Sequence, residues 1–73
     1  MTLKKRIQTE LIKVSKRAEF HRQLIEDYKE NAKIFPEDYD MIDVAKNWYN
    51  EDLKRMNKLL EDYIKVLELE RTY

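Results

Sequence analysis

The chain predicts an all-α fold, an antiparallel two-helix hairpin that dimerises into a four-helix bundle, on three observations. Apolar residues recur at alternating three- and four-residue spacing in both halves, one proline separates the halves, and glycine is absent from all 73 residues. Residues three and four apart share one face of a helix, whereas Pro36 removes a backbone donor and pushes Phe35 towards extended geometry. The chain therefore reads as one domain, residues 1–73, with a helix over 2–33, a turn over 34–38 and a helix over 39–70.

The first helix starts from Thr2, whose hydroxyl suits an N-cap, and meets no breaker before Lys33, a length of about 45 Å. Taking Leu11 as position a, the a series is Leu11, Ala18, Ile25 and Ala32, and the d series is Ile7, Val14, His21, Tyr28 and Phe35. After Pro36, the carboxylates of Glu37, Asp38 and Asp40 stand where a new helix presents unpaired N–H groups, and Asp38 or Asp40 can cap it. So short a connection favours antiparallel neighbours.

The second helix has an a series of Leu53, Leu60 and Leu67 and a d series of Ile42, Tyr49, Met56 and Tyr63. Its apolar surface is wider than one neighbour can cover. Ala45, Leu59 and Val66 flank that seam on one side and Ile64 on the other, with Met41, Trp48 and Leu69 extending it. Leu53, Met56, Leu59, Leu60, Tyr63, Val66 and Leu67 are accordingly the expected core and dimer residues. A domain of this size without disulfides or a structural metal gains little from one core, so oligomerisation is the remaining source of stability.

Fifteen bases balance fifteen acids, yet they are segregated. Residues 1–23 hold seven bases (Lys4, Lys5, Arg6, Lys13, Lys16, Arg17, Arg22) against two acids, whereas residues 26–43 hold seven acids against Lys29 and Lys33. Folding at Pro36 makes the hairpin a dipole, basic at its open end and acidic at its turn. Glu61, Asp62, Glu68 and Glu70 return beside the basic start and offset part of it. Two such dipoles lie most favourably antiparallel. In architecture and length this arrangement resembles the plasmid-encoded Rop dimers, two hairpins packed with their turns at opposite ends; no sequence motif is shared, so no RNA-contacting residue carries over.

Composition excludes several activities. Phosphate cradles and dinucleotide fingerprints need glycine, and thiolate zinc sites need cysteine, so no cofactor or metal is expected. Asp38, Asp40 and Asp43 lack the glycine and distant glutamate of a calcium loop. His21 lacks the glutamate three residues earlier that a di-iron bundle requires, Ala18 standing there, and is expected as a core histidine that sets register. Ser15 has no triad partners, and two helices make no cleft to desolvate paired carboxylates. Asn50-Glu51-Asp52-Leu53-Lys54 shares only its leucine with the Ser-Gln-Glu-Leu-Asp signature of the small hairpin phosphatases of aspartyl-phosphate response regulators, and Lys54 replaces the reactive aspartate. The expected protein is not an enzyme.

Two surfaces are candidates for binding. Around the turn, Glu37, Asp38, Asp40 and Asp43 with Tyr39 and Trp48 combine carboxylates and aromatic anchors, as a protein-binding surface that meets a basic groove does. On the first helix Lys13, Lys16, Arg17 and Phe20, with Ile12, form a basic face with one ring, suited to nucleic acid. The expected function is a protein-interaction module, an inhibitor or adaptor of phage or plasmid type acting on a host protein. The alternatives are a Rop-like nucleic-acid regulator and a purely structural oligomerisation element. With no membrane-length apolar stretch and no signal-peptide core behind Met1-Thr2-Leu3-Lys4-Lys5-Arg6, a cytoplasmic location is expected.

Overall fold

A computed structural model describes residues 2–72, Thr72 by its backbone only; Met1 and Tyr73 lie outside the described residues. Helix α1 spans Leu3–Ala32, a 3-10 turn spans Pro36–Asp38, and helix α2 spans Tyr39–Thr72. The two helices pack side by side as an antiparallel hairpin 59 × 17 × 12 Å in extent. The second helix runs two residues beyond the expected end because Arg71 and Thr72 offer nothing to stop it.

Thr2 caps α1 as expected: its Oγ1 accepts from the Lys5 amide at 3.2 Å. At the far end the Ile34 and Phe35 amides both donate to the Asn31 carbonyl, at 3.0 and 2.7 Å, closing the last turn. Phe35 then takes an extended conformation, φ −120° and ψ 89°, as a residue before proline must, and the Asp38 amide donates back to its carbonyl at 2.9 Å. Among the described residues none has positive φ, so the chain reverses without needing glycine. Asp38 ends the 3-10 turn and Asp40 sits in the first turn of α2, both near the positive end of that helix's dipole.

The seam of α1 is the expected one. Ile7, Val14, Ala18, Ile25 and Ala32 are buried, and Leu11, His21 and Tyr28 are half-buried between them. Phe35 departs from it: displaced by the proline-imposed extended backbone, it is 53% exposed.

On α2 the intramolecular seam is rotated from the expected one. The residues facing α1 are Ile42, Ala45, Tyr49, Asp52, Met56, Leu59, Tyr63 and Val66, buried or half-buried at alternating spacings of three and four. Leu53 and Leu60, expected at its centre, are exposed, and Leu67 is half-buried. The leucine series continues N-terminally into Lys46, whose ammonium would enter the seam, whereas the series actually used begins with Ala45, which is fully buried and brings the helices close. It also brings in Asp52, which finds partners on α1.

A buried cluster lies in the open half, where Ile7, Val14 and Leu59 pack with Leu11, Met56, Tyr63 and Val66 around them. The Gln8 amide donates to the Tyr63 hydroxyl at 2.9 Å, and Lys4 meets Glu70 at 3.5 Å, closing the open end. Among the described residues no helix is long and apolar enough to cross a membrane. Truncating Leu59 to Ala is expected to cost about 2–4 kcal/mol. Urea denaturation checks it, and an unchanged midpoint would place the core elsewhere.

Candidate functional site

The polar centre of the hairpin is Asp52, only 3% exposed in a seam lined mainly by apolar and aromatic residues. A carboxylate so placed must be satisfied by hydrogen bonds, and two residues of α1 one turn apart supply them. Arg17 donates from Nε to Asp52 Oδ1 at 2.9 Å, and His21 Nδ1 lies 2.5 Å from Oδ2. Since a carboxylate offers only lone pairs, the Nδ1 position carries the hydrogen, which leaves Nε2 as the free ring nitrogen. His21 therefore occupies the seam as expected, and Asp52 is the partner that sequence reading did not identify.

Aromatic rings surround this trio. The His21 ring centroid lies 5.5 Å from that of Trp48 and 5.7 Å from that of Phe20, so the three form a row across the hairpin. Arg17, His21, Trp48, Glu51 and Asp52 line an open groove of about 360 Å³. Trp48, expected with the turn, is instead held beside His21 and remains 42% exposed. Its nine-residue separation from Tyr39 along one helix, about 13 Å, explains why the two do not share a patch.

A second groove of about 430 Å³ continues on the same flank, lined by Arg6, Thr9, Glu10, Lys13 and Arg55. Of the basic set expected on α1, Lys13 pairs with Glu10 at 3.8 Å, Arg17 turns inward onto Asp52, and Lys16 is exposed. Beyond them Arg22 binds Glu19 through both Nε and Nη2, and this hydrogen bonding, ahead of the charge itself, holds the Glu19 carboxyl below the usual carboxylate range.

At the turn, Glu37, Asp40 and Asp43 are exposed and Asp38 is half-buried. Lys29 and Lys33 pair with Glu26 and Glu30 on α1, so among the described residues no cation meets those four carboxylates. Ile34 and Tyr39 stand out beside them, 74% and 61% exposed. Ile34 escaped sequence reading for want of a motif, whereas Phe35 is one of the aromatic residues the sequence places near Pro36, although its spacing also matched the seam.

A third surface is the leucine series of α2. Leu53, Leu60 and Ile64 are exposed, and with Leu67 they form an apolar stripe about 21 Å long. Among the described residues no group of three or more metal-ligating side chains converges. Compared with protein-family models, curated proteins and solved structures, the chain matches none.

The trio generates an asymmetric expectation. His21→Leu leaves the buried carboxylate one partner short and is expected to cost about 1–3 kcal/mol, while Asp52→Leu removes the charge together with its needs and is expected to cost less or to stabilise. Denaturant titration of both variants checks this, and equal losses would contradict a carboxylate held by His21.

Proposed function

We propose that the protein is a non-catalytic interaction module: it pairs with a second copy as a four-helix bundle and docks its acidic turn on a partner protein. The observation that carries the docking is the composition of the turn, where Ile34, Phe35 and Tyr39 project among carboxylates that lack cations. Large apolar anchors ringed by charge are what the centre and rim of an interface require. The complementary surface is basic and carries an apolar pocket, as a nucleic-acid-binding site on a host enzyme does. Occupying such a site would make the module an inhibitor.

Dimerisation is supported by the stripe of Leu53, Leu60, Ile64 and Leu67. Closing the hairpin leaves it wet, and a second copy laid antiparallel covers it while setting each acidic turn beside its partner's basic open end. The same stripe explains how so small a chain gains enough core.

Two measurements test these parts separately. Light scattering is expected to give twice the 9.1 kDa chain mass for the wild type, and a helical monomer for Leu60→Asp, whose charge would be buried without a partner. A monomeric wild type, or a dimeric variant, would remove the bundle. For docking, host proteins retained by the immobilised wild type are compared with those retained by Phe35→Ser/Tyr39→Ser and by an Asp40→Asn/Asp43→Asn variant. A basic protein lost to both variants and released by salt is expected; retention that ignores both variants would sink the turn as the docking site.

A further inference from the structure

We propose that the flank carrying Phe20, His21, Trp48, Arg17, Lys13 and Arg55 binds single-stranded nucleic acid, a function beyond protein docking and on a different surface. The structure brings α1 and α2 together here in a way neither helix shows alone. Three aromatic rings stand in a row at centroid spacings of 5.7 and 5.5 Å, with Phe20 and Trp48 open to solvent at its ends. Exposed rings offer stacking faces to unpaired bases, which a duplex keeps hidden, so the strand recognised is single.

The cations lie beside the rings in a line. Arg17 uses Nε on Asp52, which fixes its guanidinium and leaves the Nη groups to donate. Lys13 and Arg6 follow on α1 at about 6 and 17 Å from Arg17 along the axis, and Arg55 of α2 joins them in the second groove. A basic groove beside stacking rings is the arrangement that tracks a sugar-phosphate backbone.

Acids on this flank are outnumbered, Glu10, Glu51 and Asp52 standing against Arg6, Lys13, Arg17, Lys54 and Arg55. Glu10 pairs with Lys13, Glu51 pairs with Lys54 at 3.6 Å, and Asp52 is held by Arg17 and His21. Among the described residues Arg6 and Arg55 have no carboxylate partner and remain available for phosphate. The neutral total hides a basic open half, since residues 1–23 and 50–73 together hold twelve bases against eight acids. Trp48 and the leucine at position 53 lie about 140° apart around α2 at ~100° per residue, so self-association leaves this flank uncovered.

Trp48 is the only tryptophan of the chain, so its fluorescence reports this flank directly. The full chain is titrated with a twelve-nucleotide oligothymidylate, with a duplex of equal length, with thymidine monophosphate and with polyglutamate. Saturable quenching by the oligonucleotide at low salt is expected, together with at least tenfold weaker binding of the other three. Lys13→Gln/Arg55→Gln should weaken oligonucleotide binding about tenfold and lower the slope of log K against log salt by about 1.4, at ~0.7 per phosphate contact. Phe20→Ala should weaken it roughly tenfold with the salt slope unchanged, because stacking rather than charge is lost. Circular dichroism confirms that the variants keep their helicity. No quenching by the oligonucleotide, equal quenching by polyglutamate or by the mononucleotide, or folded variants that bind like the wild type would each overturn the assignment.

Discussion

One buried carboxylate constrains the rest of this hairpin. Two heptad seams of similar apolar residues can slide past one another by seven residues and still bury much the same area, so hydrophobicity alone sets the register weakly. Asp52 removes that freedom. Arg17 and His21 satisfy both of its oxygens; slid by one heptad it would meet Glu10 and Val14 in one direction or Leu24 and Tyr28 in the other, and neither pair offers a cation. A polar contact that adds little net stability thus selects one alignment among several.

That selection has a consequence for the outer surface. Turning α2 so that Asp52 faces inward also turns in Ala45, Leu59 and Val66, and it turns Leu53 and Leu60 out. The residues that close the hairpin are consequently not the ones proposed for self-association. The flank with Trp48 lies on the other side of α2, and the acidic turn lies at the end, so three surfaces of distinct chemistry share a two-helix scaffold without overlapping.

Much of the fold was legible in the sequence, and the reasons are physical. Apolar residues at helical spacing, a threonine at the start of α1 and one proline specify two helices and their boundary to within two residues. The seam of α1 was legible because only one of its faces carries apolar residues at continuous heptad spacing. The seam of α2 was not, since a helix apolar over a wide arc offers two nearly equal choices, and the deciding feature was a charge outside the apolar pattern. Asp52 carries no periodic signal; its role exists only through Arg17 and His21, thirty-odd residues away. Phe35 fitted the heptad, but the proline after it determines the backbone and overrides the pattern. The run of basic residues on α1 is visible in the sequence itself, whereas the placement of Trp48 and Arg55 beside it depends on the pairing of the helices.

The glycine-free turn bears on how the chain closes. In an antiparallel hairpin the sequence separation of paired residues grows steadily from the turn to the open end, where Lys4 and Glu70 are 66 residues apart. The smallest loop, and the lowest entropy of closure, is therefore at Pro36. Zippering from that point must first gather Glu37, Asp38, Asp40 and Asp43, whose like charges oppose it. A cationic body held against the turn relieves this repulsion where nucleation begins. A cationic partner bound there would stabilise the turn as well as occupy it, so recognition and helix closure would form one linked equilibrium.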